Sequence, residues 1–164
     1  MYIRDATEAD LEAIVNIYNE SIPSRTATAD TEPITVPSRL NWYRNRPPSR
    51  PLWVAQINGA IAGWLSFQSF YGRPAYRHTV ELSIYVTSRY QRQGIGSSLL
   101  ENAIARSPEL DIQTLLGFIF AHNQASIKLF TRHGFDTWGH LPQVAELDNV
   151  QRDLLILGRH VALE

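Results

Sequence analysis

The chain contains Gln91-Arg92-Gln93-Gly94-Ile95-Gly96-Ser97 between an apolar run typical of a strand, residues 81–86, and a run typical of a helix, residues 96–106. The first N–H groups of a helix have no intrahelical partners, and the positive end of the helix dipole lies beside them. Gly94 and Gly96 carry no Cβ, so an anion can approach the main chain closely. The segment therefore predicts a site for a phosphorylated cofactor.

Bulk composition limits the classes of protein to which the chain can belong. A length of 164 residues with 44% hydrophobic residues predicts one globular domain over residues 1–164. The net charge of −1, with no basic patch interleaved with aromatic residues, gives no reason to expect nucleic-acid binding. Cysteine is absent, which excludes disulfides, a thiolate nucleophile and cysteine metal sites.

Other absences in the sequence narrow the expectations further. The five histidines show no metal-ligand spacing, so no metal site is expected. No apolar run approaches the roughly 20 residues that a membrane span needs, and the N-terminus has no signal-like segment. We therefore expect no membrane partner and a cytoplasmic location.

The order of predicted elements indicates the fold class. A short strand at Tyr2–Asp5 precedes a helix capped by Thr7, and a loop over residues 21–36 leads to a short helix over residues 37–46. Asn58-Gly59 between two apolar runs, residues 52–57 and 60–70, predicts a tight hairpin. Four further strands are predicted, at residues 79–86, 114–120, 135–138 and 150–158. Two helices, at residues 96–106 and 123–133, follow the first and the second of these strands. This order predicts an α/β domain with a mixed sheet between layers of helices.

Two motifs on these elements resemble those of the acetyl-CoA-dependent N-acetyltransferases of the GNAT fold. The cofactor motif of that family is Gln/Arg-x-x-Gly-x-Gly/Ala, and residues 91–96 match it. A second signature appears as Asn123, Ser126, Leu129-Phe130 and Gly134-Phe135. Two motifs in the family's order, about 30 residues apart, are far more specific than a lone Gly-x-Gly. The resemblance implies a central, mostly antiparallel sheet with a splayed parallel pair of strands, flanked by helices.

Within the family, the chain is similar to the phosphinothricin acetyltransferase-like group. The similarity lies in the glutamate-bearing strand over residues 79–86 and in the loop Arg73-Pro74-Ala75-Tyr76. It also lies in Asn19-Glu20-Ser21 and the loop Thr28–Pro33, which resemble the group's substrate-side first helix and lid. Substrates of that group are small amino-acid-like amines, such as phosphinothricin, methionine sulfone and methionine sulfoximine. Relatives are often homodimers, so a homodimer is expected here.

The resemblance implies a role for each motif residue in binding acetyl-CoA. Main-chain groups of the splayed strand would bind the pantetheine arm and polarise the thioester, and those of the glycine segment would hold the pyrophosphate. Asn123 would bond the pantetheine region, and Ser126 would assist or only cap its helix. The implied cofactor-binding residues are Ile84, Tyr85, Val86, Gln91, Arg92, Gln93, Gly94, Ile95, Gly96, Ser97, Asn123 and Ser126.

Glu81 is the candidate general base. Amines near pH 7 are mostly protonated, so a group must accept a proton before the nitrogen can attack. A glutamate on a central, apolar strand is costly unless it has a function or a partner. The alternative for Glu81 is a structural ion pair with Arg77.

The donor of a proton to the departing thiolate is left open by the sequence. Many relatives carry Tyr at the aromatic position of the second motif, but this chain has Phe130, which cannot donate. Tyr85, His140 or water remain as alternatives.

Arg73 is the candidate for binding the carboxylate of the substrate, because a guanidinium matches a carboxylate in two parallel bonds. Tyr76 would shape the same pocket. For both residues the alternative is a purely structural role in a turn.

Two other functions remain open at this point. A non-catalytic acetyl-CoA sensor would explain Phe130 but needs neither Glu81 nor the Arg73–Tyr76 loop. An acetyltransferase for a protein N-terminus would want an open groove, and one for an aminoglycoside would want acidic residues around the pocket. The expected reaction is direct transfer in a ternary complex, since a cysteinyl intermediate is excluded.

Overall fold

The computed structural model describes residues 1–161, so the last three positions of the predicted domain lie outside the described residues. Seven strands form one sheet in the order β1-β2-β3-β4-β5-β7-β6. The strands are β1 Tyr2–Asp5, β2 Leu52–Ile57, β3 Ala60–Ser69, β4 Thr79–Val86, β5 Thr114–Phe120, β6 Asp136–Leu147 and β7 Val150–His160. The helices are α1 Leu11–Ser21, α2 Leu40–Arg44, α3 Ile95–Arg106 and α4 Gln124–Arg132. Among the described residues, no helix is both long and apolar enough to cross a membrane.

The helices form two layers, one on each face of the sheet, and each layer closes over its own apolar core. Leu99 and Leu100 of α3 are fully buried against Leu65 and Phe67 of β3 and Leu82 of β4. On the other face, the apolar stripe of α1 packs with α2 and the sheet; the members of this core cluster that α1 buries are Leu11, Ile14, Ile17 and Tyr18. This confirms the predicted three-layer mixed α/β architecture.

Successive side chains of β3 and β4 point alternately to the two faces of the sheet, so each of the two apolar cores receives every second residue of these strands. Trp64, Ser66 and Gln68 of β3 lie in register with Tyr85, Ser83 and Glu81 of β4, on the face covered by α1 and α2. The residues between them face α3. The central strands are therefore apolar toward α3 but carry two polar rungs toward α1 and α2.

The predicted hairpin and the predicted cap at Thr7 are confirmed, with small shifts of boundary. Asn58 and Gly59 have φ of 50° and 82°, as a type I′ turn requires. The backbone N–H of Thr7 donates to Asp10 at 2.7 Å, closing a capping box ahead of α1. A 3₁₀ turn, Pro37–Arg39, replaces the first part of the predicted second helix, and α2 itself has five residues.

The predicted strand over residues 135–138 is the main error in the fold. β6 runs on to Leu147 and forms a long hairpin with β7 through Asp148 and Asn149, whose φ values are 51° and 66°. The pairing shifts register between Leu141 and Ala145. Pro142 has no N–H to donate to the hydrogen-bond ladder of a sheet, so a proline at this position argued against a continuous strand.

Candidate active site

The sheet opens between its two parallel strands. β4 and β5 pair only through Thr79–Thr114, Val80–Leu115 and Glu81–Leu116. Beyond that rung β4 keeps its pairing with β3, and β5 keeps its pairing with β7 as far as Phe120. Ile84, Tyr85 and Val86 therefore lie on the part of β4 that has left β5, as the splayed pair predicts.

A cleft of about 420 Å³ occupies this opening. One side of it is β4 from Glu81 to Tyr85, and the opposite side is β5 from Phe118 to Phe120. Asn123, Ser126 and Phe130 of the second motif close one part of the cleft. Ala27, Thr28 and Ala29 of the loop after α1 form another wall.

The carboxyl group of Glu81 lies at the vertex of the opening. Its side chain is half-buried, lines the cleft and lies in register with Gln68 of β3. Burial raises the pKa of Glu81 above the ordinary value of a glutamate, which makes its carboxylate a stronger base. The guanidinium of Arg77 instead donates to the carbonyl of Pro74 at 3.3 Å, so the structure supplies no support for the alternative ion pair.

The glycine segment forms an open cradle of main-chain groups at one end of β4. Gly94 has φ of 79° and a Cβ placed on it would meet nothing within 4 Å, so the space beside it is free. The first helical bond of this turn runs from the N–H of Ser98 to the carbonyl of Gly94 at 2.9 Å. The N–H groups of Ile95, Gly96 and Ser97 precede that bond. Gln91, Arg92 and Gln93 are exposed beside them.

Helix α4 supports this cradle from behind. The hydroxyl of Ser97 lies 2.7 Å from Nε2 of His133, just past the end of α4. A Cβ on Gly96 would lie 3.2 Å from a methyl group of Leu129, closer than an ordinary contact, so a larger residue would require the Leu129 side chain to shift. Ser97 therefore keeps its backbone N–H for a ligand while its side chain joins two helices.

Asn123, rather than Ser126, caps α4. The side-chain oxygen of Asn123 accepts the backbone N–H of Ser126 at 3.2 Å. The alternative that Ser126 only caps the helix is wrong, because the helix begins at Gln124 and places Asn123 at the capping position. The Asn123 side chain keeps its N–H₂ group for a ligand, and both residues line the cleft.

Phe130 forms an apolar part of the cleft wall and has no proton to donate to a leaving thiolate. Its side chain is 4% exposed, and its ring packs on Gly117 of β5, where an added Cβ would lie 2.8 Å from the ring. Of the two other donors considered, His140 is exposed and bound to Asp153 at 2.7 Å, outside the cleft. Tyr85 lines the cleft, and its hydroxyl donates to the carbonyl of Ala27 at 3.3 Å. Burial raises the pKa of Tyr85 far above its ordinary value.

Arg73 and Tyr76 lie on an exposed loop outside the lining of the cleft. The Tyr76 ring packs edge-on against Phe70 at 5.3 Å, and Phe70 stacks with Phe118 of the cleft wall at 6.4 Å. The structure thus brings this loop next to the cleft but does not place either side chain within it. Their substrate-binding role stays a prediction.

The loop after α1, which the resemblance implied to be a lid on the substrate side, lines the cleft through Ala27, Thr28 and Ala29. Tyr18 of α1 hydrogen-bonds to Thr28 and to Asp30, and its ring packs edge-on against Tyr85 at 5.1 Å. With the bond from Tyr85 to Ala27, these contacts hold the loop over the cleft. The resemblance predicted a covering loop here, but the individual contacts were not predicted, because Tyr85 lies 58 residues from Ala27 in the chain.

Comparisons with known proteins agree with this geometry. A model of the acetyltransferase (GNAT) family matches residues 11–135. The Bacillus subtilis (strain 168) protein YwnH, provisionally named a phosphinothricin acetyltransferase, is 50% identical over 163 residues, covering 99% of this chain and 100% of that protein. An L-methionine sulfoximine/L-methionine sulfone acetyltransferase of Salmonella typhimurium is 33% identical over 145 residues, covering 88% of this chain and 85% of the relative.

A solved structure shares the fold across nearly all of the chain. The phosphinothricin acetyltransferase of Sinorhizobium meliloti, a GNAT superfamily member determined in complex with acetyl-CoA, matches with a TM-score of 0.92 at 28% identity and covers 98% of this chain and 88% of that one. The family model covers most of the chain, and the relatives share both its sequence and its fold. The chain therefore belongs to the acetyltransferase (GNAT) family, as its motifs predicted.

Proposed function

We propose that this protein transfers the acetyl group of acetyl-CoA to the amine of a small amino-acid-like acceptor, with Glu81 as the general base. The observation that carries the proposal is the position of Glu81, a half-buried carboxylate without a basic partner in the described hydrogen bonds and ion pairs, at the vertex of the splayed strands. The named functions of the relatives support the same acceptor class.

The residues around the splay fit coenzyme A. Free N–H groups at the start of α3 suit the diphosphate, and the open space beside Gly94 lets it approach the main chain. The opened edge of β4 at Ile84, Tyr85 and Val86, together with the side-chain amide of Asn123, suits an amide-bearing arm. When bound, acetyl-CoA supplies the activated acetyl group.

The role of Glu81 as general base follows from the need to remove a proton from the acceptor amine. The acceptor arrives mostly as an ammonium ion, and its nitrogen can attack only after losing a proton. A carboxylate with a raised pKa is better able to take that proton, directly or through one water molecule. Phe130 offers nothing to the leaving sulfur, so in this proposal the thiolate receives its proton from solvent.

The enclosure of the cleft favours a small acceptor over a protein N-terminus. The segment of Ala27, Thr28 and Ala29 is held against Tyr85 and Tyr18 and covers one wall of the cleft, where a protein chain would otherwise have to pass. We propose that Arg73 binds the acceptor carboxylate and that Tyr76 shapes the same end of the site, from the loop that abuts Phe70 and Phe118.

The test is thiol release from acetyl-CoA with a panel of amines that includes phosphinothricin, methionine sulfone, an aminoglycoside and a peptide N-terminus. We expect turnover with the amino-acid-like amines and little with the last two. Calorimetry with coenzyme A separates the alternatives. Tight binding without turnover of any amine would favour the sensor, and no binding at all would overturn the whole proposal.

Three broader expectations belong to the same proposal. Residues 1–164 act as one acetyltransferase domain, the protein works in the cytoplasm, and it forms a homodimer. Support for the homodimer comes from the exposed Trp138 and Val144 on β6, the outermost strand of the sheet. Sedimentation equilibrium would test it, and a monomer at micromolar concentration would contradict it.

A further inference from the structure

Glu20 lies in the last turn of α1 and contacts the residues that follow β4. Its carboxylate accepts the hydroxyl of Thr87 through both oxygens, Oε2 at 2.9 Å and Oε1 at 3.1 Å. Oε2 also accepts the backbone N–H of Ser88 at 3.2 Å. A carboxylate at the C-terminal end of a helix lies beside the negative end of the helix dipole, so α1 gains no stability from this charge. The contact is therefore better explained by the segment after β4 than by α1.

Thr87 and Ser88 begin the connection from β4 to the glycine cradle. Thr87 is 5% exposed, and its backbone N–H donates to the carbonyl of Ala62 on β3 at 2.9 Å. The N–H of Tyr90 donates in turn to the carbonyl of Thr87 at 3.0 Å, within a short 3₁₀ turn. Glu20 thus accepts the first N–H of that turn, which the turn itself leaves unpaired.

The three residues after this turn are held only at their two ends. Within residues 1–161, the main-chain groups of Gln91, Arg92 and Gln93 bond to no other main-chain group. On one side of them the ring of Tyr90 packs against the apolar core, and on the other α3 begins at the buried Ile95. The position of the free N–H groups in this segment therefore depends on how firmly the two ends are held.

The two residues before Glu20 hold a different part of the protein. The side chain of Asn19 donates to the carbonyl of Ile34 at 3.0 Å and accepts its N–H at 2.9 Å. Tyr18 hydrogen-bonds to Thr28. Both contacts hold the loop that covers the cleft. One helical turn thus holds the covering loop through two residues and the start of the cradle connection through the third, so the two roles can be tested separately.

We propose that Glu20 is a positioning residue for the acyl donor: through Thr87 and Ser88 it fixes the start of the segment whose backbone N–H groups hold the diphosphate of acetyl-CoA. The inference rests on the proposed function and deepens it, because it assigns a residue of α1, on the face of the sheet opposite α3, to donor binding. The negative charge of Glu20 opposes an anion nearby. Its effect comes from the hydrogen bonds that its oxygens accept, and not from its charge.

The experiment measures coenzyme A binding by calorimetry in wild type, Glu20→Ala and Glu20→Gln. Glu20→Ala removes all three hydrogen bonds and should weaken binding about tenfold. Glu20→Gln loses the charge but keeps an oxygen that can accept both Thr87 and Ser88, as Oε2 does, and should bind as wild type does. A purely electrostatic effect would instead make both variants bind coenzyme A more tightly, because each loses the same negative charge.

Steady-state kinetics separate this positioning role from a general loss of stability. In Glu20→Ala, KM for acetyl-CoA should rise about tenfold, while kcat and KM for the acceptor change little. Thr87→Val, which loses the hydroxyl from a buried side chain of similar shape, should raise KM for acetyl-CoA about three- to tenfold. Thr87→Ser keeps the hydroxyl and should restore the wild-type value. The two Thr87 variants decide the matter if Glu20→Ala loses its cooperative melting transition.

Two further variants of α1 serve as controls. Glu12→Ala removes the same charge from an exposed residue of the same helix and should leave coenzyme A affinity unchanged. Asn19→Ala removes two hydrogen bonds beside Glu20, but from the covering loop, so it should raise KM for the acceptor and leave coenzyme A affinity as in wild type.

The outcomes separate this inference from the proposed function. If wild type does not bind coenzyme A, the proposed function fails. If wild type binds coenzyme A and acetylates an amine, but Glu20→Ala binds coenzyme A as wild type does or more tightly, only the role of Glu20 is overturned. An equal rise in KM for acetyl-CoA and for the acceptor would also overturn that role, since it would show only general support of the fold.

Discussion

Glu81 pairs with Leu116 at the last rung of the parallel ladder between β4 and β5. The carboxylate therefore lies at the residue where the sheet begins to open, with packed strands on one side and the cleft on the other. This position accounts for both its burial and its access to a ligand. It also makes Glu81 the first residue to test.

Replacement of Glu81 by Gln should lower kcat/KM by roughly 10²- to 10⁴-fold while leaving acetyl-CoA affinity unchanged. The amide keeps the shape of the side chain but cannot accept the proton. In wild type, activity should rise with pH as Glu81 deprotonates, and because burial raises its pKa this limb should lie above the ordinary range of a glutamate. The variant should lack that limb.

Glu101→Gln serves as the control for this measurement, since Glu101 is an exposed glutamate on α3. It should keep both the rate and the pH profile of wild type. A profile for Glu81→Gln that still rises through the same pH range would remove Glu81 from its assigned role.

Replacement of Gly94 by Ala should weaken coenzyme A binding at least tenfold, measured by calorimetry. The left-handed φ of 79° costs an alanine about 1–2 kcal/mol, and the new methyl projects into the space beside the cradle. Gly59→Ala is a matched control, because Gly59 has φ of 82° and equally open surroundings but lies in the β2–β3 turn. Both variants should lose similar stability, and equal coenzyme A affinities in the two would contradict the cradle.

Replacement of Gly117 by Ala should destabilise the fold by about 1–3 kcal/mol, because the added Cβ lies 2.8 Å from the Phe130 ring. Adding Phe130→Leu should recover part of that loss, giving a coupling energy of about 0.5–3 kcal/mol in a denaturant double-mutant cycle. Gly63→Ala meets the backbone oxygen of Tyr85 at 2.9 Å instead, so Phe130→Leu should give it no relief. Additive effects in the first cycle would show that the packing relaxes in another way.

Replacement of Asp10 by Asn should cost about 1 kcal/mol of stability at neutral pH. Hydrogen bonds from Arg4, at 2.7 and 3.0 Å, and from the backbone of Thr7 hold the pKa of Asp10 below its ordinary value. A carboxyl group with a depressed pKa in the folded state stabilises above its unfolded pKa and loses that contribution as pH falls through the folded value. The difference between wild type and variant in urea melts should therefore shrink below about pH 4; a constant difference down to pH 2 would contradict this.

Local patterns were sufficient for most elements of the fold. The 3.6-residue periodicity of α1, the Asn58-Gly59 turn and the apolar run of β4 each depend on neighbouring residues, and their predictions were confirmed. The length of β6 was predicted wrongly, because Pro142 and Gln143 interrupt the alternation of apolar and polar residues. Gln143 has a left-handed φ of 51°, and the hairpin with β7 continues on both sides of the interruption. Tertiary pairing overrides local preference at such positions.

The candidate site also combines features that could be predicted from the sequence with features that only the tertiary structure shows. The glycine segment was recognised from local sequence, whereas the splay beside Glu81 was implied by the family resemblance; in the structure both lie at the opening between β4 and β5. The loop contacts from Tyr18 and Tyr85 depend on residues that are far apart in the chain. To predict which side chain caps α4, the start of the helix had to be known to one residue, since Asn123 and Ser126 both have side chains that can accept a backbone N–H.

The alternation of β4 has a consequence for how such an enzyme changes over evolutionary time. Val80 and Leu82 point toward α3 and the layer that carries the cradle, whereas Ser83 and Tyr85 point toward α1 and α2. Under the proposed function, substitutions in α2 and in the part of α1 before Glu20 would alter the acceptor side of the site while leaving unchanged the opposite layer, where α3 carries the glycine cradle. The sheet would then separate the helices that can diversify from the helix that recognises the common acyl donor.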